Sequence, residues 1–187
     1  MKNVIIFVMF VLAIKNVQSQ NKLELGISSS IIKFSDKAAS VIGDRYLFQV
    51  PTLSANYRYN NSFSFGLEIA FNLVNDIGLI SNSINYNSYG GFVQYHLNES
   101  NKIKPYIFLG GTMVKAELKR TPTLNFGVGN SYWLTDNFAI NTQVGYKFSE
   151  KRFESMQSHF QFTAGVLYSF DVGSLFRRKS ICKVNGF

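Results

Sequence analysis

The sequence predicts an all-β fold, an eight-stranded antiparallel up-and-down β-barrel that spans a membrane. Three observations predict it. Apolar and polar residues alternate with a two-residue period along most of the chain. Tight and loose connections also alternate between those segments. After the first 19 residues, no segment has the uninterrupted apolar length of a spanning helix, so the routes into a membrane are a closed barrel or a surface attachment.

The chain has 187 residues and divides into three parts. Residues 1–19 have a basic start at Lys2, an apolar run from Val4 to Ile14 and a small residue at Ser19, which predicts a cleaved secretory signal peptide. A membrane anchor is the alternative, but the apolar run is far shorter than the roughly 20 residues that a spanning helix needs. Residues 20–170 form the predicted barrel, and residues 171–187 are a basic C-terminal tail.

The formal net charge of +8 does not indicate nucleic-acid binding. Two of these charges fall in the signal peptide and three in the tail, so only three remain on the barrel, too few for a phosphate-binding stripe. Cys182 is the single cysteine and lies in the tail, which excludes an internal disulfide.

Eight segments carry the strand pattern. The clearest has Phe65, Leu67 and Ile69 on one face and Gly66 and Glu68 on the other, so each strand is predicted to have one apolar and one polar face. The predicted strands are Lys22–Phe34, Tyr46–Tyr59, Ser62–Val74, Ile84–Leu97, Lys104–Leu118, Thr123–Leu134, Phe138–Ser149 and His159–Phe170. Pro51 lacks a backbone N–H and predicts an irregularity in the second strand.

The connections predict two different rims. Short turns are expected at Asn60-Asn61 and Thr135–Asn137, with a modest one at Asn98–Ile103, all at the rim that holds both chain ends. The other four connections, three of them clearly longer, are expected at the other rim, and they are Ser35–Arg45, Asn75–Ser83, Lys119–Pro122 and Glu150–Ser158.

Two residue sets predict that the apolar face points outward into lipid. The first is a group of charges of both signs on the polar faces, which would pair inside a narrow barrel as a structural network: Glu24, Arg58, Glu68, Lys115, Glu117 and Lys147. The second is an aromatic girdle at the headgroup boundary near the tight-turn rim: Tyr57, Tyr59, Tyr95, Tyr106, Tyr132, Tyr168 and Phe170. A soluble lipocalin-like carrier would instead turn its apolar faces inward.

The last predicted strand ends on alternating Val166, Tyr168 and Phe170. In this ending and in two further segments, the chain resembles the small outer-membrane β-barrel proteins, including the OmpA/OmpX-type and PorT-like groups. The two segments are 104–111 (KPYIFLGG) and 125–129 (NFGVG), the second followed by 134–137 (LTDN). The resemblance implies a cell outer-membrane location, membrane lipid as a partner and a terminal aromatic read by the insertion machinery. The tail is a departure, because typical members stop at that aromatic.

No catalytic, cofactor-binding or metal-binding set emerges. His96 and His159 are expected at opposite rims, too far apart to share a metal. Ser158, His159 and Glu154 could be imagined as an enzymatic site at a loop edge, but nothing in the sequence fixes their geometry. Glycine pairs such as Gly110-Gly111 lack the following helix of a phosphate loop.

The sequence therefore predicts a non-enzymatic barrel with a plugged interior and an envelope-structural or loop-mediated binding role, because eight strands enclose little more than their own side chains. Narrow-channel activity is the first alternative. An accessory role in a secretion apparatus, in which the tail would contact a periplasmic or envelope protein, follows only from the PorT-like resemblance. No small-molecule substrate is identified.

Overall fold

The computed structural model describes residues 22–35, 46–73, 76–77, 80–81, 85–97, 102–116, 119–150 and 158–171. Eight antiparallel strands form one closed barrel, which confirms the predicted fold class. In chain order they are β1 (Lys22–Phe34), β2 (Tyr46–Arg58), β3 (Phe63–Ala70), β4 (Tyr86–His96), β5 (Ile103–Ala116), β6 (Lys119–Trp133), β7 (Phe138–Phe148) and β8 (His159–Asp171). A separate two-stranded ribbon pairs Asp76–Ile77 with Ile80–Ser81. The described segments contain no helix long and apolar enough to cross a membrane.

Each strand pairs with its neighbour in the sequence, and β1 closes the ring by pairing with β8. This seam runs over thirteen residue pairs, from Lys22 opposite Asp171 to Phe34 opposite His159. Both ends of the barrel therefore lie at one rim, together with the connections 59–62, 97–102 and 134–137. We call this the terminal rim and the opposite one the loop rim.

Side-chain caps account for the tightness of two terminal-rim turns. The Oδ1 atom of Asn60 accepts hydrogen bonds from the backbone N–H groups of Ser62 at 2.9 Å and Phe63 at 2.6 Å. The Oγ1 atom of Thr135 accepts one from the N–H of Phe138 at 3.1 Å. Asn and Thr side chains can thus hold the chain in a turn that reverses it within a few residues.

The position expected for the connection at Lys119–Pro122 is wrong, because these residues belong to β6. The ladder between β5 and β6 continues to Ala116 opposite Lys119, so only two residues join the strands. Pro122 lies within this ladder, opposite Met113. On the other side of β6, the pairing with β7 does not reach Pro122, since its last pair at this end is Leu124 opposite Phe148. The segment is an edge, where a residue without a backbone N–H is tolerated.

The irregularity predicted at Pro51 is confirmed. The register between β1 and β2 shifts between Ser28, opposite Thr52, and Ser30, opposite Gln49. Two residues of β2 thus oppose one of β1, which is a β-bulge at Val50-Pro51. Gln49 and Thr52 are both buried although they are three residues apart, a spacing that would put them on opposite faces of a regular strand. The bulge therefore keeps both side chains on the inward face.

The apolar faces point outward, as predicted. Phe65, Ile69 and Val144 are 50%, 45% and 45% exposed, whereas Glu68 and Lys147 are only 8% and 4% exposed. Contiguous apolar surface of this extent does not face water in a soluble monomer. This arrangement is the reverse of a lipocalin-like carrier, whose apolar side chains would line the interior.

Candidate functional site

The interior at the terminal rim is a polar mouth with a volume of about 160 Å³. Inside it the Nη2 atom of Arg58 lies 3.0 Å from the Oε1 atom of Glu24, and both side chains are buried. Arg58 lies on β2 and Glu24 on β1, and both point inward. Glu24 is opposite Asn56, so Arg58 is two residues further along β2 from the position opposite Glu24. Lys22, Lys104, Trp133, Thr135 and Asp136 complete the lining. The Lys104 Nζ atom is 5.3 Å from the centre of the Trp133 ring.

Aromatic rings fill the middle of the barrel. Tyr106 lies opposite Gly129 on the neighbouring strand, and a Cβ atom added at Gly129 would overlap the Tyr106 ring. The Tyr106 hydroxyl donates to the Oδ1 atom of Asn141 at 2.9 Å, across the interior. Phe108 packs in the same way over Gly145, where an added Cβ would lie 2.7 Å from its ring. Glycines on one wall therefore make room for rings that project from the other.

A small cavity of about 30 Å³ remains beside these rings. Glu68 and Lys147 both line it, together with the Phe108 ring, and the buried Lys147 Nζ atom is 6.0 Å from the centre of the Tyr86 ring. A volume of this size holds about two water molecules. Opposite charges thus face the same enclosed space without forming a direct ion pair.

At the loop rim the interior becomes apolar. A cluster of fully buried side chains lies there, and its members are Ile32, Phe34, Leu47, Tyr86 and Val114. The Tyr86 hydroxyl lies 3.0 Å from the Nε2 atom of His159, and the His159 ring also packs against Phe34 at 5.2 Å between centroids. The interior is thus occupied along its length, by the Glu24–Arg58 pair at the terminal rim, by Tyr106 and Phe108 in the middle and by the apolar cluster at the loop rim.

The predicted charge network is only partly brought together. Glu24, Arg58, Glu68 and Lys147 are buried in the interior. The placement of Lys115 is wrong, because its side chain is exposed, whereas Val114 beside it is fully buried. Glu117 lies outside the described residues. The inward face of β5 is instead built from Lys104, Tyr106, Phe108, Thr112 and Val114.

The structure places most members of the predicted girdle on the outer face, with one exception. Tyr57, Tyr95, Tyr132 and Tyr168 are exposed on the outer face near the terminal rim. Two others are partly exposed beside outer-face rings, Tyr59 next to Phe65 and Phe170 next to Tyr168. Tyr106 does not belong to the girdle, since it is 1% exposed and points into the interior.

The two histidines lie near opposite rims and serve as hydrogen-bonding groups of the interior. His96 Nε2 is 3.0 Å from the Ser64 hydroxyl, and His159 contacts Tyr86 as described. The Ser158 hydroxyl donates to the Ser149 carbonyl at 3.3 Å, while Glu154 lies outside the described residues. No three His, Cys, Asp or Glu side chains within the described segments are grouped to hold a metal.

The missed interior residues had a sequence signal. Tyr106 pairs with Gly129 and Phe108 with Gly127, so each inward ring of β5 lies opposite a glycine of β6. An aromatic residue opposite glycine across a ladder fits the interior of a narrow barrel, where no second large side chain has space. This pairing distinguishes the interior rings from the girdle rings.

No protein-family model and no curated protein matches the sequence. Solved structures do. The N-terminal β-barrel domain of OprF from Pseudomonas aeruginosa superposes with a TM-score of 0.61 at 15% identity, covering 82% of this chain and all of that domain. Neisserial surface protein A gives 0.56 at 18% identity, covering 80% and 97% of the two chains. OprG from Pseudomonas aeruginosa gives 0.53 at 13% identity, covering 81% and 97%.

These similarities confirm the resemblance to small outer-membrane barrels at the level of the fold, while the PorT-like part of it stays a prediction. The closed ring of eight strands, the apolar outer face and the ring of tyrosines are together the architecture of an integral outer-membrane β-barrel protein.

Proposed function

We propose that this chain is a non-enzymatic protein of the bacterial outer membrane whose interior is plugged, and that it acts through its outer surface and loops. The observation that carries the proposal is the filled middle of the barrel, where Tyr106, Phe108 and Phe92 occupy the interior and leave a cavity of about 30 Å³. An eight-stranded ring has little space beyond its own side chains.

The proposed orientation follows from the connections. Outer-membrane barrels have short periplasmic turns and longer extracellular loops. The terminal rim, with its short turns and both ends of the barrel, then faces the periplasm, and the loop rim faces the cell exterior. A cleaved signal peptide over residues 1–19 supplies the route of export.

Fractionation tests the location. The protein should sediment with the outer membrane, dissolve only in detergent and migrate faster on a gel before boiling than after it. N-terminal sequencing of the membrane form should begin after Ser19. A protein recovered in the aqueous phase would contradict the membrane assignment.

Planar-bilayer recording tests the plug. The wild-type protein should give no steady current. The quadruple variant Phe92→Ala/Phe108→Ala/Leu47→Ala/Val114→Ala removes interior side chains in the middle and at the loop rim and should conduct. The control Phe126→Ala/Phe148→Ala removes two outer-face rings and should stay silent. Steady current from the wild type would instead favour the narrow channel, in which Glu68 and Lys147 line the path.

The accessory role in a secretion apparatus needs a separate test, because it depends on the tail. Residues 172–187 lie outside the described part of the chain, and Arg177, Arg178, Lys179 and Lys183 make them basic. A detergent pull-down with the full chain and with a chain ending at Asp171 would show whether a periplasmic or envelope protein is retained through the tail. Equal recovery by both chains would remove this alternative.

A further inference from the structure

Two cations lie side by side on the outer face at the loop rim. Lys115 on β5 pairs directly with Arg120 on β6, and both side chains are exposed. Directly opposite residues on neighbouring strands have Cβ atoms about 5 Å apart, at which like charges repel. Neither side chain has an ion-pair or hydrogen-bond partner among the residues that the structure describes. Within the described segments, the pair is thus a local concentration of positive charge.

A third polar group extends this row. Asn87 on β4 lies opposite Lys115 on its other side. The Asn87 Oδ1 atom accepts a hydrogen bond from the backbone N–H of Asn72 at 3.1 Å, so the other half of the amide, its NH₂ group, is the half left to donate. Three neighbouring strands therefore present an amide, an ammonium and a guanidinium in one row, and all three are donors that suit phosphate oxygens.

The height of the row identifies the kind of partner. The outer face of β5 and β6 below it is apolar, and its members include Ile107, Leu109, Leu124, Phe126 and Val128. Ile103 lies opposite the girdle residue Tyr132, and Lys115 lies twelve residues further along β5. With a rise of about 3.4 Å per residue and a tilt of about 40°, this is roughly 30 Å along the barrel axis, just above an apolar band of about 25 Å.

We propose that Asn87, Lys115 and Arg120 bind the phosphate groups of the anionic glycolipid in the leaflet at the loop rim, with its acyl chains against the apolar face below. A ligand that carries both phosphate and acyl chains matches both parts of this surface, whereas a soluble anion would match only the upper one. The bound phosphate would also relieve the repulsion between the two cations. The proposal is independent of whether the interior conducts.

Binding of purified lipid A to the full-length protein in nanodiscs, measured by native mass spectrometry, tests the proposal. The bisphosphorylated form should bind at least tenfold more tightly than the same lipid after enzymatic removal of both phosphates. The double variant Lys115→Gln/Arg120→Gln should lose about 30-fold in affinity for the phosphorylated form, since each basic residue near an anionic surface contributes about fivefold. The exchanged variant Lys115→Arg/Arg120→Lys keeps both charges and should bind.

A matched control separates a site from general positive charge. Lys33 is also an exposed cation at the loop rim, but it lies opposite Tyr46 and Phe160 rather than another cation. Lys33→Gln should therefore leave lipid binding unchanged, and an unboiled gel shift confirms that every variant is folded. Equal binding of phosphorylated and dephosphorylated lipid, an equal loss in Lys33→Gln, or full displacement of the lipid by inorganic phosphate would each overturn the proposal.

Discussion

Replacing Arg58 by Met should destabilise the barrel through Glu24. At the 3.0 Å that separates Arg58 Nη2 from Glu24 Oε1, the attraction is roughly 5 to 6 kcal/mol at an effective dielectric constant of about 20. Removal of one partner from a buried pair typically costs about 3 to 5 kcal/mol, because the other charge is left without compensation. Lys22 and Lys104 line the same mouth and would partly compensate Glu24. We therefore expect a loss of about 3 kcal/mol in the free energy of unfolding.

The neutral double variant Glu24→Gln/Arg58→Met provides the decisive comparison. It removes both charges of this pair, so neither is left without its partner, and it should recover about 2 kcal/mol or more of that loss. Urea unfolding in phospholipid vesicles measures both, with the single tryptophan, Trp133, as a fluorescent probe and the unboiled gel shift as an independent one. Lys33→Gln on the outer face serves as a control and should change stability by no more than about 0.5 kcal/mol. If single and double variants were equally unstable, the charges would not be acting as a pair.

Three further substitutions test the interior and the outer face in the same unfolding assay. Gly145→Ala places a methyl group against the Phe108 ring and should lower the free energy of unfolding by about 1 to 3 kcal/mol. Part of that loss should be recovered when Phe108 is also changed to Leu, and no recovery would contradict the packing of this ring on the glycine. Tyr106→Phe removes the hydrogen bond to Asn141 and should cost about 1 kcal/mol, whereas no change would be expected of a residue on the lipid face. Val128→Lys puts a charge on the apolar outer face and should cost about 2 to 4 kcal/mol in lipid; a change below about 0.5 kcal/mol would argue that this face meets water.

The strands were predictable because successive side chains of a strand point alternately to lipid and to the interior, which gives the sequence a two-residue period. β1 begins and ends at the predicted residues, and β7 and β8 differ from the prediction by one residue each. The closed topology was predictable for the same reason, since apolar faces on every strand leave no edge that lipid would accept. Bends within strands were harder to place, and only Pro51 marked one unambiguously.

The faces of β5 could not be assigned in this way, because both of them contain apolar side chains. Tyr106 and Phe108 alternate with Ile107 and Leu109, so periodicity alone gives no preference for either face. The face that points inward is decided by the space on the neighbouring strand, which depends on the register between β5 and β6 and on the glycines of β6. Lys115 was misplaced for the same reason, because it shares a face with Ile107 and Leu109 rather than with Tyr106.

The seam between the first and last strands sets the order of events during assembly. Its thirteen pairings join opposite ends of the barrel sequence, so none can form until β8 is present. Contacts of such long sequence separation form slowly, and until then β1 and β8 each present an unpaired edge prone to self-association. We therefore expect a chain cut before β8 to remain an open sheet with no stable place in a bilayer.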